Sequence, residues 1–301
     1  QDASDSVVDR NTSRFWTKMP MPSIAVSDPH FEDARGNNWC DPSPLSVSPF
    51  GCYQPILLRV FSPRSGPPEG LTLQRAIRAL ESYGHHAESI LAGLALTKAL
   101  LSARGCSTNG SKCGFPQQID PLTAVPEPGD GYGPMIMSLL EYTARRVGIT
   151  PVPMGTNATI LFSAAYEAPG VSTQFTQKLG EHTLELASKR TGGTVAGTAS
   201  LNGKAAFNFT SAAATAQGRA SASGLVGVRV LATLSPSGVL AVSGVVGIAD
   251  TEQAVRVGVA SPCAGEVALS AKPNQEWGIT CAGGKASAAA KRTTPFTAPH
   301  A

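Results

Sequence analysis

Asn202-Gly203 lies between two segments, TVAGTASL and KAAFNFTS, in which apolar residues recur at every second position. A two-residue loop of this composition selects a tight hairpin turn, because both central residues adopt positive φ at little cost. The turn also fixes strand register, since a slip of one residue would move every side chain to the opposite face. This constrains the chain more than any other feature: from Gly192 onward it reads as antiparallel sheet.

The same period continues downstream. LVGVRVLATL and VLAVSGVVGIA flank Ser235-Pro-Ser-Gly, and QAVRVGVAS, GEVALSAK and EWGITC follow. Phe207 and Phe209 fall on one face, with Asn208 and Thr210 on the other. Val226, Val228 and Val230 alternate with Gly227 and Arg229. Six or seven short strands with turn residues between them predict an antiparallel sandwich or barrel over residues 191–282. From Thr210 to Gly224 nearly every residue is Ala, Ser, Thr or Gly. That stretch reads as an extended ribbon with a bend around Gln217-Gly218. Its shallow face suits close approach by another backbone.

The rest of the chain has other textures. Residues 1–69 hold ten of the 23 prolines and read as an extended arm, interrupted by one strand at Pro55–Ser62. Residues 70–190 read as mainly helical. Thr72 caps LQRAIRALESY, whose Leu73, Ile77 and Leu80 make one stripe before Gly84. HHAESILAGLALTKALLSAR is apolar almost all round and is expected to be buried, and PMIMSLLEYTARRV runs to Gly148. Asn157–Glu167 reads as a strand. Between Thr173 and Arg190, helical spacing at Phe175, Leu179 and Leu186 competes with alternation at Thr183-Leu-Glu-Leu. Residues 283–301 read as a basic tail of Ala, Ser and Thr. The expected class is therefore α+β: a Pro-rich extended N-terminal arm, a small helical subdomain and a C-terminal antiparallel β-sandwich or barrel.

Compartment follows from asparagine and cysteine usage. Four of the eight asparagines, Asn11, Asn109, Asn157 and Asn208, stand in N-x-S/T sequons. The six cysteines fall into three sequential neighbours, giving expected bridges Cys40–Cys52, Cys106–Cys113 and Cys263–Cys281, the last across a final hairpin. No C-x2-C pair points to zinc. The chain opens on Gln1, which reads as a mature form after signal-peptide removal. These features predict a secreted, N-glycosylated, disulfide-bonded extracellular protein. No apolar run reaches the 18 residues or so of a membrane span, so no transmembrane segment is expected. Net charge is +3 without a Lys/Arg run, so no nucleic-acid partner is expected.

Catalytic patterns are weak. Glu81, His85, His86 and Glu88 in ESYGHHAE offer metal-ligand types, but the sequence reads better as a joint between helices with its polar residues exposed. His182 and Glu185 have helical i,i+3 spacing and no third ligand. Asp120, Glu127, Asp130, Glu141 and Glu167 supply carboxylates for a glycosidase pair, with nothing to select two of them. Trp16, Trp39 and Trp277 are too dispersed for a sugar platform, and Trp277 reads as core. No cofactor or metal is expected, and catalytic residues stay unassigned. The expected function is structural: a subunit of an extracellular filament, matrix or cell-surface assembly. Its termini would engage neighbouring copies or another extracellular protein. A secreted carbohydrate-active enzyme or carbohydrate-binding protein is the alternative.

Overall fold

The computed structural model describes residues 17–20, 22, 70–102, 115–116, 118–125, 132–154, 157–213, 224–249, 251–260 and 263–291. Nearly all of the Pro-rich arm, the strand expected at Pro55–Ser62 and the ribbon over 214–223 lie outside them. The chain divides into two units, Gln1–Ser82 with Leu91–Glu141, and Tyr83–Ile90 with Tyr142–Ala301. Its three described helices are α1 (Gly70–Ser82), α2 (His86–Ser102) and α3 (Gly133–Val147).

The described residues of the first unit are mainly helical. The stripe expected on α1 is buried at Leu73, Ile77 and Leu80. Gly70 allows α1 to touch α3 backbone to backbone, since a Cβ there would lie 2.8 Å from Met135 N. Ser138 Oγ donates to Gly70 O at 2.5 Å, and Arg78 grips Glu141 through two hydrogen bonds of 2.8 and 2.9 Å. Within α2, Ala92, Leu94, Leu96, Ala99 and Leu100 are buried, while Lys98 and Leu101 reach solvent. An apolar circumference buries itself on several sides, as expected of such a sequence.

Among its described residues the second unit has twelve strands, β1 (Ile149–Met154), β2 (Asn157–Tyr166), β3 (Ser172–Leu179), β4 (His182–Thr191), β5 (Thr194–Leu201), β6 (Lys204–Ala213), β7 (Val226–Leu234), β8 (Leu240–Gly247), β9 (Gln253–Val259), β10 (Gly265–Ala271), β11 (Glu276–Ala282) and β12 (Lys285–Ala290). They form two antiparallel six-stranded sheets. The first has the order β1-β2-β7-β8-β11-β12 and the second β10-β9-β6-β5-β4-β3. The chain is thus a mostly-β α+β protein, and the pair of sheets fits a β-sandwich.

Turn chemistry sets the registers. Asn202 and Gly203 take φ of 50° and 76°, joining Leu201 to its partner Lys204 as the sequence predicts. Gly283 and Gly284 do the same between Ala282 and Lys285. The expected basic tail therefore begins with an ordered strand, β12. Gly180, at φ 60°, turns β3 into β4. That turn resolves the ambiguous Thr173–Arg190 stretch in favour of strands. With Leu184, Leu186 and Ser188 buried on one face, alternation wins over helical spacing. The helical stretch accordingly ends at Val147, and residues 149–191 form four strands.

One apolar cluster joins the sheets. It includes Ile160, Phe162, Val228, Val230 and Val245 from the first, and Leu184, Val195, Phe207, Phe209, Val255 and Val257 from the second. Phe162 meets Phe207 edge to face, with ring centroids 5.1 Å apart, a geometry worth about 1 kcal/mol beyond area burial. Hydroxyls also pin the sheets. Tyr166 Oη, from β2, lies 2.6 Å from both Thr173 Oγ1 and Ser188 Oγ on β3 and β4.

Candidate functional site

The outer face of the second sheet is built from two rows of mostly short side chains, with Gln174, Lys189 and Arg256 the long ones. One row runs Gln174, Ala187, Thr198, Asn208 and Gly258 across β3, β4, β5, β6 and β9. The next runs Ser172, Lys189, Ala196, Thr210 and Arg256. Between them lies Gly197, over which the Phe209 ring packs from the buried side. A Cβ on Gly197 would stand 2.3 Å from Phe209 Cζ. Short side chains leave a shallow groove of about 730 Å³ lined by Ser172, Gln174, Lys189, Thr198, Asn208 and Thr210 among others. Its floor is the sheet itself, and its hydrogen-bonding groups are hydroxyls, amides and one ammonium.

The groove ends at β3, the edge of its sheet. Arg190 N donates to Val171 O at 2.9 Å, which fixes which residues of β3 face β4. By alternation, the N–H and C=O of Ser172, Gln174, Thr176 and Lys178 point away from the sheet. Lys178 O accepts from the Gln177 side chain at 3.1 Å, as an edge carbonyl would. The other edges differ. β1 carries Pro151 and Pro153, which remove two donors from it. β10 and β12 approach each other, with an isolated bridge between Ala264 and Lys285.

A polar cluster lies against the outer face of the first sheet. Arg229 sits mid-β7 and is fully buried, although its neighbours alternate as valines do on a two-faced strand. Its Nε donates to Ser163 Oγ at 2.9 Å, Nη1 to His86 Nδ1 at 2.8 Å and Nη2 to Arg145 O at 2.8 Å. A guanidinium keeps its protons, so His86 Nδ1 must be the acceptor and the ring is neutral. Burial, and then the charge of Arg229, push the His86 pKa down to about 3, with smaller contributions from His85 and Arg145. Asn274 closes the helix end: its Oδ1 accepts from Ala87 N at 2.6 Å and its Nδ2 donates to Glu88 at 2.7 Å. Ser163 accepts from Arg229, and the cluster as described holds the start of α2 against β7.

The residues singled out in sequence are dispersed. His85 and Glu88 lie 4.0 Å apart in the helix joint expected of ESYGHHAE, but His86 and Glu88 are buried there against Arg229 and Asn274 and not exposed as expected. His182 and Glu185 stand on a strand, where i and i+3 face opposite sides, so helical spacing does not apply. Asp120 accepts from Leu122 N and Thr123 N in a local turn, and Glu141 is held by Arg78 and Gln74. Glu127 and Asp130 lie outside the described residues, as do Asn11, Asn109, Cys40, Cys52, Cys106, Cys113 and Trp39. Trp277 packs against the core cluster. Asn208 is exposed mid-strand in the groove, its amide lying over Gly258, and Asn157 opens β2. Cys263 is buried and Cys281 exposed, both as free thiols, and a hydrogen bond to Cys263 raises the Cys281 pKa. The structure also corrects the bridge's setting: β10 and β11 belong to different sheets and form no hairpin.

Among the described residues no three His, Cys, Asp or Glu side chains are placed to hold a metal. No described helix is long and apolar enough to cross a membrane. No family model matches the chain, and no similarity to a curated protein or a solved structure was detected. What the fold and site define is the class alone, a mostly-β α+β protein with two antiparallel sheets. Its distinguishing features are an open, shallow groove and, beside it, an edge strand without proline.

Proposed function

We propose that this chain is a secreted, N-glycosylated structural protein. It would be a subunit of an extracellular filament, matrix or cell-surface assembly, acting by association rather than by catalysis. The observation that carries the reading is β3. It is an eight-residue edge strand without proline, with the backbone groups of Ser172, Gln174, Thr176 and Lys178 turned outward. An edge of this kind accepts a further strand, with main-chain hydrogen bonds giving affinity and alternate side chains giving selectivity. The Pro-rich N-terminal arm or the C-terminal segment of a neighbouring copy would supply that strand.

Thr176→Pro tests the reading. It removes an outward N–H while leaving the ladder to β4 intact. Native material should scatter light as oligomers or filaments, and the variant should shift to monomer with unchanged circular dichroism. A monodisperse native monomer, or assembly indifferent to Thr176→Pro, refutes the proposal.

The groove favours one second reading, a carbohydrate-binding protein. Gln174, Thr198, Asn208 and Thr210 offer amide and hydroxyl groups suited to sugar hydroxyls. Glycan-array binding that is lost in Gln174→Ala/Thr198→Ala, from a protein that stays monomeric, would replace the first reading with this one.

A further inference from the structure

We propose that Cys263 and Cys281 are the halves of a disulfide that locks the two sheets together along the β10–β12 seam, closed by thiol–disulfide exchange through Cys281. Cys263 precedes β10, the edge of the second sheet, by two residues. Cys281 lies on β11 in the first sheet, next to that sheet's edge strand β12. The two edges meet here. Ala264 bridges Lys285, and a Cβ on Gly265 would lie 3.8 Å from Ala286 Cβ. Ala286 is the cross-strand partner of Cys281. The two thiols are therefore brought near each other by the packing of separate sheets, and Cys263 is the main cause of the raised Cys281 pKa. A bond between two strands of one hairpin would duplicate a ladder. This bond instead joins elements that no continuous ladder connects.

Access orders the chemistry. Cys281 is exposed and Cys263 is only 4% exposed, so an incoming disulfide meets Cys281 first. With glutathione disulfide as oxidant, the Cys281 thiolate attacks one sulfur and a glutathione thiolate leaves, taking up a proton. Cys263 then gives its proton to solvent, and its sulfur attacks the Cys281 sulfur of the mixed disulfide, releasing the second glutathione. One disulfide is consumed and one formed, and two electrons pass from the protein thiols to two glutathiones. The raised Cys281 pKa makes the first attack slower at neutral pH than in mild alkali. The clamp does not depend on assembly, so the two proposals fail separately.

The full chain, reduced and desalted, is exposed to glutathione buffers of increasing oxidation, then alkylated and mapped by mass spectrometry. The expected product is a Cys263–Cys281 linked peptide, with amide exchange slowed over β10 and β12 but not over β3. Cys263→Ala, which keeps the buried site apolar, should accumulate a glutathione adduct on Cys281. Cys281→Ser should leave Cys263 unmodified while the protein stays folded. Both thiols alkylating freely in oxidising buffer, or either pairing with one of the other four cysteines, overturns the proposal. Absence of the Cys281 adduct in Cys263→Ala overturns the exchange route.

Discussion

His86 should make this protein acid-sensitive well above the range where carboxylates titrate. The ring sits in the first turn of α2 with Nδ1 against the Arg229 guanidinium, and Arg145 and His85 add further positive charge nearby. Glu88 is the carboxylate of that turn and is engaged by Asn274. With the folded-state pKa pushed down to about 3, the ring stays neutral in the native protein while the unfolded chain protonates near the ordinary value of about 6.5. The sign follows directly. Above about pH 6.5 both states are neutral and the native state keeps its full stability. As pH falls, only the unfolded state gains the proton, so stability drops by about 1.4 kcal/mol per pH unit until about pH 3. Between about pH 7 and pH 5 the loss amounts to about 2 kcal/mol. Urea denaturation followed by tryptophan fluorescence and circular dichroism across that interval measures it. His86→Asn supplies the control, because an amide oxygen can accept from Arg229 without titrating. The variant should lose most of the slope over this interval. An unchanged slope in His86→Asn, or an imidazole that titrates near 6.5 by NMR in the native protein, refutes the reasoning.

Two further outcomes follow from the second sheet. Gly197→Ala should destabilise by roughly 1–3 kcal/mol, because its Cβ would drive into the Phe209 ring. Adding Phe209→Leu should recover part of that loss, and urea midpoints for the two single variants and the double variant measure the coupling. If Asn208 carries a glycan, Asn208→Gln should lower the intact mass of secreted protein by one glycan. A glycan there stands over the groove, so occupancy would confine strand addition to the β3 edge and leave the outer face closed to sheet stacking.

Local features of the sequence determined the local structure. Asn202-Gly203 demanded positive φ at two successive residues, and that fixed the turn and the Leu201–Lys204 pairing, while a register shift between Ala199 and Ser200 then sets Phe207 and Phe209 opposite Ala199 and Gly197. Leu73, Ile77 and Leu80 determined the buried face of α1. These are short-range effects, in which backbone sterics and side-chain period act within a few residues. Weaker local signals were overruled or missed. Gly180 settled Thr173–Arg190 as two strands although spacing at Phe175, Leu179 and Leu186 suited a helix, because cross-strand pairing with a common buried face outweighs intrinsic preference. Gly283-Gly284 marked a hairpin where small basic residues read as a tail.

Other features depended on long-range packing. Arg229 alternates with valines and so reads as a solvent-facing residue. It is buried because the ends of α2 and α3 cover that side of β7, and its neutral acceptors come from His86, Ser163 and Arg145, distant in sequence. Cys263 and Cys281 read as neighbours across a hairpin, yet they meet because two sheets pack with their edges together. Nothing in a strand's own sequence states which sheet it joins. That choice is made by the shared core around Phe162, Phe207 and Val257, where burial counts whole faces and not single residues.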